Sequence, residues 1–255
     1  MNVQQTQISA ADTLSRREAG SGWHAQIPDD KAMLRAARDL TKDISAHRAD
    51  IYWADMIASA LVGYGALAGA ILTGSLPLAI ALGVVSVLAL YRALLFIHEI
   101  SHFRNGALPG FRTAWNALVG VPMLTPSFMY EGVHTLHHKR TQYGTIEDPE
   151  YLPLALMKPW SLPAFVLIAL LAPVALLLRF AVLVPLGVII PPVRRLTWQR
   201  LSALAINPDF RRRNPEGDLR RRVLLQEAGG MLWSWSLIGS VFAFGWKPLL
   251  VALAV

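Results

Sequence analysis

Two long apolar runs joined by a short turn constrain the fold of this chain more than any other feature of its sequence. Met56 to Leu72 contains no charged residue, and Leu76 to Ile97 contains a single one, Arg92. The turn between the runs is Thr73-Gly74-Ser75. Because about 20 helical residues cross the ~30 Å hydrocarbon core of a bilayer, the pair predicts a membrane hairpin over residues 53–97.

The overall composition supports a multi-pass membrane protein. Hydrophobic residues make up 54% of the 255 residues and charged residues only 16%, against roughly 25% charged in soluble domains. The apolar residues are grouped into helix-length blocks, which predicts an all-α, multi-pass transmembrane fold. The net charge of +7 does not indicate a nucleic-acid partner, because the basic residues lie between the apolar runs, as the positive-inside rule describes.

The distribution of basic residues predicts the topology. The N-terminal region 1–50 carries seven Lys and Arg residues, and the turn of the hairpin carries none. The positive-inside rule therefore places this tail and the segment after the hairpin in the cytoplasm. Within the tail, a basic amphipathic helix is predicted to begin at Asp29 or Asp30. It is expected to lie in the membrane interface or to pack on the rest of the protein as a solvated helix.

The later apolar segments are less regular. Residues 162–190 are interrupted by Pro173, Arg179 and Pro185, and they are too long for one span and too short for two. Since the arginine-rich segment 191–230 is expected to be cytoplasmic, 162–190 is expected to form a broken hairpin or a re-entrant segment. Residues 231–255 form a further apolar run, predicted to be a transmembrane segment.

Five of the seven histidines fall in two short clusters after the hairpin. The first cluster, HEISH, is residues 98–102, and the second, HTLHH, is residues 134–138. His98 and His102 are at i and i+4, so they share one face of a helix. Clustered imidazoles suit Fe, Zn, Cu or Ni, and the absence of cysteine excludes thiolate ligands. The region 98–150 is therefore predicted to be a metal-binding cap.

HEISH also matches the H-E-x-x-H pattern of zinc proteases, in which Glu99 would be the general base. The longer form of that pattern, with a glycine and a third histidine soon after, is absent here. A protease also leaves HTLHH unexplained, so this interpretation is the less favoured one.

The two clusters resemble the first two histidine boxes of the membrane fatty acid desaturase superfamily: HEISH as HxxxH, a gap of 31 residues, and HTLHH as HxxHH. The stretch HTLHHKRTQYGTIEDPEY is also similar to box two and the segment after it in bacterial members. The resemblance covers about residues 50–230 and indicates a desaturase-like membrane domain over 51–255. It implies a non-haem di-iron centre that uses O2 to remove hydrogen from an unactivated C–H bond of a lipid acyl chain.

The resemblance also implies a set of site residues. By match to the boxes, the iron ligands would be His98, His102, His134, His137 and His138. The second nitrogen of a ligating imidazole needs a carboxylate or carbonyl to orient it. The nearest carboxylate candidates in the sequence are Glu99, Glu131 and Asp148.

Two boxes do not separate desaturation from hydroxylation, because both reactions begin with the same hydrogen abstraction. The favoured interpretation is an acyl-lipid desaturase, and the alternatives are a di-iron hydroxylase of fatty acids, alkanes or carotenoids and a non-catalytic membrane scaffold. Electrons are expected from a separate carrier protein of the ferredoxin, rubredoxin or cytochrome b5 type. The expected location is a bacterial inner membrane, with the histidine boxes facing the cytoplasm.

The family has a third box, again HxxHH, which has no counterpart here because no histidine follows His138. The sequence also stops at Val255, inside an apolar run. These two observations lead us to expect a truncated or shortened product. If the 255 residues are the whole protein, we expect weak iron binding and no turnover.

Overall fold

The computed structural model describes residues 30–42, 47–103, 106–152 and 156–255, and within these ranges it contains helices and no strand. Three helices are long and apolar enough to cross a membrane: Ala49–Leu72, Leu76–His102 and Ser161–Ile189. The all-α, multi-pass prediction is therefore confirmed. The tail predicted over residues 1–28 lies outside the described residues.

The chain divides into two units, Met1–His47 and Arg48–Val255. The described part of the first unit contains one helix, α1, Asp30–Leu40. The apolar side chains of Met33, Leu34 and Leu40 in α1 are exposed. The helix is amphipathic, as predicted, and its place in the membrane interface remains a prediction.

The predicted hairpin consists of α2, Ala49–Leu72, and α3, Leu76–Leu94. Small residues bring the two backbones together, as in many membrane helix pairs. The buried Ser86 hydroxyl donates a 2.8 Å hydrogen bond to the carbonyl of Gly63. A Cβ atom added to Gly63 would lie 2.6 Å from the side chain of Leu90, so only glycine permits this close approach.

The chain after the hairpin folds back against it. Helix α4, Phe96–His102, continues α3 and is followed by α5, Phe111–Trp115, and by a π-helical turn, Asn116–Gly120. The Trp115 indole donates a 2.9 Å hydrogen bond to the carbonyl of Ala93, and the side chain of Trp115 is fully buried. A short helix, α6, His134–His137, then carries the second histidine cluster.

The second half of the membrane domain begins with one continuous helical run. It comprises α7, Ser161–Leu178, a π-helical turn, Arg179–Leu183, and α8, Val184–Ile189. No hairpin turn occurs within these described residues, so the broken-hairpin form of the expectation is corrected. The helix stays continuous past Arg179 because a π-helical turn begins there. The side chain of Arg179 is buried and hydrogen-bonded to Glu227. The re-entrant form remains a prediction.

A boundary between the arginine-rich segment and the last apolar run was expected between residues 230 and 231. The structure has no break there. After α9, Pro191–Leu201, a single helix α10 covers Gly217–Phe244, and α11 covers Trp246–Ala254. The break between them is at Gly245, whose φ of 72° favours glycine. The change from charged to apolar residues thus occurs inside one helix, because nothing at that point terminates it. That residues 231–255 span the membrane stays a prediction.

A substitution at Gly230 tests how closely α10 packs, because a Cβ atom there would lie 2.5 Å from the ring of Phe180. We expect Gly230→Ala to destabilise the domain by about 1–3 kcal/mol, since the fully buried ring has no room to move. Gly239 lies on the same helix with nothing within 4 Å of an added Cβ. Gly239→Ala is therefore expected to leave the thermal unfolding midpoint in detergent unchanged or slightly raised. Equal midpoints for the two variants would contradict this packing.

Candidate metal centre

Two helices bring four histidines together at the end of the hairpin. Helix α4 continues α3 beyond Leu95 and carries His98 and His102. Helix α6 and the residue after it carry His134 and His138. One ring nitrogen from each of these four side chains lies within 4.8 Å of the others. We call these four residues the histidine group.

His134 lies at the centre of the histidine group. Its Nε2 atom is 2.9 Å from Nε2 of His102 and 2.9 Å from Nε2 of His138. Two nitrogens bound at ~2.1 Å to neighbouring positions of an octahedral metal ion would be about 3 Å apart. The spacing and the all-imidazole donor set therefore fit one shared six-coordinate ion such as Fe.

The other ring nitrogen of His134 is held by two side chains. Its Nδ1 atom is 2.7 Å from Oε1 of Glu150 and 2.9 Å from the hydroxyl of Tyr130. Burial lowers the pKa of His134, and the Glu150 carboxylate opposes that shift. Burial, with a contribution from Glu150, also raises the pKa of Tyr130. A proton on Nδ1 that donates to Glu150 leaves Nε2 unprotonated, which is the form that binds a metal.

His137 lies beside the histidine group rather than within it. Its ring centre is 6.0 Å from that of His134. Its Nδ1 atom is 3.0 Å from each carboxylate oxygen of Asp148. Burial raises the pKa of Asp148, but the N–H groups of Gly144 and Glu150 together with His137 outweigh it and hold the pKa below its usual range. Asp148 is thus an ionised acceptor that fixes the orientation of His137.

The three carboxylates predicted to orient the histidines are placed unequally. Asp148 contacts His137, and Oε1 of Glu99 is 3.3 Å from Nδ1 of His98. Glu131 instead accepts hydrogen bonds from Ser127, at 3.0 Å, and from Arg222, at 3.2 Å. Among the described contacts, none joins Glu131 to a histidine of either cluster.

Sequence reasoning missed Glu150 and Tyr130, the two partners of His134. A weak signal for Glu150 was present in the segment Asp148-Pro149-Glu150, because an Asx turn is common where Asp precedes Pro. The structure has this turn: the N–H of Glu150 donates a 2.9 Å hydrogen bond to Oδ1 of Asp148. The turn brings both carboxylates to the same side, facing the second histidine cluster.

Glu150→Gln is expected to weaken metal binding by about 10- to 100-fold, because a neutral amide orients the imidazole less strongly than a carboxylate. The measurement is the affinity of the purified chain for ferrous or cobaltous ion. Glu147, an exposed residue in the same loop, hydrogen-bonds to Gln142 at 3.3 Å and provides the matched control. Metal affinity that falls equally in Glu147→Gln would indicate a general effect on the loop and contradict the assigned role of Glu150.

Arg212, in the arginine-rich segment, contacts the backbone just before the second histidine cluster. Arg212 donates a 2.7 Å hydrogen bond to the carbonyl of Glu131, three residues before His134, and also contacts the carbonyl of Ser202. Its guanidinium lies 4.7 Å from the ring centre of Trp198. Burial lowers the pKa of Arg212 to about 10, so the side chain remains charged at neutral pH.

A second buried arginine lies one contact further away. The side chain of Arg179 is 2% exposed and donates to Glu227 at 2.8 Å and to the hydroxyl of Ser202 at 2.7 Å. Arg194 approaches the same carboxylate at 2.5 Å. Glu227 therefore joins α9, α10 and the π-helical turn after α7 through one buried charge.

Comparisons with known proteins agree with the geometry. The family model for fatty acid desaturase matches residues 73–255. The ceramide hydroxylase of Caulobacter vibrioides (strain NA1000 / CB15N) is 46% identical over 229 residues, which cover 90% of this chain and 65% of the relative. The chain thus spans slightly less than two thirds of the length of that curated relative. No solved structure matches the chain.

Proposed function

Since the chain belongs to the fatty acid desaturase family, we propose that it supplies the membrane hairpin and two histidine boxes of an O2-dependent lipid hydroxylase. The observation that carries this proposal is the meeting of four histidines at the end of two candidate membrane spans. Sequence reasoning favoured desaturation. The similarity to a ceramide hydroxylase favours hydroxylation, with a ceramide-type lipid as substrate.

The proposed iron ligands are the histidine group together with His137. The histidine group would hold one ion, and His137, oriented by Asp148, would extend the donor set toward a second. When bound, the iron centre supplies the activation of O2 that hydroxylation requires. Glu150 keeps the proton of His134 on Nδ1, and Asp148 does the same for His137, so each imidazole presents Nε2 to a metal.

An aromatic cluster makes the base of α4 rigid. The ring of Phe111 is fully buried and packs edge-on against Tyr52, at 5.9 Å between ring centres, and against Phe96, at 5.5 Å. Such contacts add to the hydrophobic stabilisation of the cluster. His98 and His102 therefore project from a helix whose base is packed against buried aromatic rings.

Hydroxylation consumes one O2, two electrons and two protons, and yields the alcohol and water, so an electron carrier is required. We assign this role to a separate protein that reaches the site from the cytoplasmic side. A cleft of about 590 Å³ beside α6 has Lys139, Arg211 and Arg213 in its wall. The same wall also contains Glu131, Glu147 and Asp209, so its charge does not select the surface of the carrier.

Desaturation is the second candidate, because the matching family model describes fatty acid desaturases. Cells that express the protein under 18O2 separate the two reactions by mass spectrometry of their lipids. Hydroxylation adds one labelled oxygen to the product, whereas desaturation removes two hydrogens and adds no label. If the expressed protein also supplies the third histidine box that residues 1–255 lack, we expect labelled hydroxyl in a ceramide-type lipid, and we expect His102→Ala to abolish it. Unlabelled products with a new double bond would overturn hydroxylation, and products that persist in His102→Ala would overturn both candidates.

A further inference from the structure

A pocket of about 500 Å³ lies against the histidine group, between the first turns of α2 and the region where α3 passes into α4. His98 forms part of its wall, so anything bound in the pocket is adjacent to a proposed iron ligand. The wall also contains Asp55 and Arg92, which form an ion pair, and the Tyr52–Glu99 pair. Ile51, Leu95 and Phe96 provide its apolar surface.

The ion pair is unusual for its position. Asp55 and Arg92 belong to two of the candidate membrane spans, yet their side chains are 25% and 58% exposed. Charged groups that face lipid are costly unless they have polar partners. Arg92 has an exposed edge that Asp55 does not cover, so a polar group at this depth would be favoured to bind there.

The charges in the pocket determine which kind of polar ligand group can bind beside Arg92. Arg92 is the one Lys or Arg among the eight described residues that line it, and its guanidinium is already paired with Asp55. A phosphate or a free carboxylate needs an unpaired cation, and here it would also face the carboxylates of Asp55 and Glu99. Two carboxylate acceptors and one exposed guanidinium edge instead suit a neutral group with hydroxyl or amide N–H donors and a carbonyl acceptor.

We propose that this pocket binds the uncharged amide and hydroxyl backbone of the lipid substrate and rejects anionic lipids. The proposal rests on the proposed function for the statement that the bound lipid is a substrate. A polar group held beside His98 places the carbons next to it closest to the histidine group. Oxidation is therefore directed to the polar end of the lipid rather than to the middle of an acyl chain.

The test is a binding measurement on the purified chain in phosphatidylcholine nanodiscs. The probes are a ceramide and a free fatty acid that carry the same fluorescent tail. Wild-type protein is expected to bind the ceramide probe at least about tenfold more tightly than the fatty acid probe. Equal or tighter binding of the fatty acid probe would overturn the proposal.

Asp55→Asn provides a change of specificity that a merely structural role would not produce. It removes an acceptor and frees Arg92, so ceramide binding is expected to weaken about tenfold while fatty acid binding tightens. Asp50→Asn is the matched control, because Asp50 lies about one and a half turns before Asp55 on the same helix, pairs with Arg48 and is outside the pocket. Identical probe preferences in the two variants would contradict the proposal.

Arg92→Gln covers the case in which Asp55→Asn does not fold. This variant is expected to lose ceramide affinity without gaining affinity for the fatty acid, and unchanged ceramide binding would count against the pocket. All binding is read without iron or O2. A chain that prefers ceramide but forms no hydroxylated product would therefore refute the proposed reaction and leave the binding site standing.

Discussion

Replacing His134 with alanine is expected to lower the affinity of the purified chain for ferrous iron by more than about 100-fold. The loss of a ligand exceeds the 10- to 100-fold effect typical of its hydrogen-bonding partners, and His134 is the one side chain that is 2.9 Å from two other members of the histidine group. The measurement is an anaerobic iron titration with a competing chelator.

Two further histidine variants show whether the loss of iron affinity is specific to His134. His137→Ala is expected to cause a smaller loss, because His137 lies outside the histidine group and would serve a second ion. His47, in the first unit of the chain, belongs to neither cluster, and His47→Ala is expected to bind iron like the wild type. Wild-type affinity in His134→Ala, or an equal loss in all three variants, would refute the assignment of the histidine group.

Removing the carboxylate of Glu227 is expected to have the largest effect on stability. Glu227→Gln leaves Arg179, 2% exposed, without its ionic partner, and breaking a buried ion pair in this way costs about 3–5 kcal/mol. Arg194→Gln should cost only about 1 kcal/mol, since Arg194 is 31% exposed and its loss leaves the Arg179–Glu227 pair intact. The free energies of unfolding of both variants in detergent give the comparison.

The same substitution is also expected to affect the histidine clusters. The hydroxyl of Ser202 accepts from Arg179, and its carbonyl contacts Arg212, which in turn donates to the carbonyl of Glu131 just before the second histidine cluster. We therefore expect Glu227→Gln to weaken iron binding as well. If Glu227→Gln and Arg194→Gln destabilise the protein equally, Glu227 does not act as the buried link described here.

The sequence was sufficient to predict the hairpin and to single out the two histidine clusters because both depend on local spacing. An uncharged run of helical length has few alternatives, and histidines at i and i+4 lie on one helix face wherever the helix is placed. The same local logic failed to identify Glu150. Its role depends on a turn that brings it next to a residue 16 positions earlier in the chain.

The arginine-rich segment shows a second structural feature that could not be predicted from the sequence. Its charges predicted a cytoplasmic segment through the positive-inside rule, without showing which arginines are buried. In the structure, Arg212 is 7% exposed and contacts backbone carbonyls near the second histidine cluster. A count of charges does not separate a solvated arginine from a buried one, because the difference lies in partners supplied by distant parts of the chain, such as Glu131.

X-ray absorption at the iron edge of the anaerobically loaded chain shows whether imidazoles from both histidine clusters hold the iron. We predict a first shell dominated by nitrogen, with the multiple-scattering pattern of several imidazoles that diminishes both in His102→Ala and in His138→Ala. A first shell of oxygen without imidazole scattering, or a spectrum that is unchanged in either variant, would contradict iron binding by both clusters.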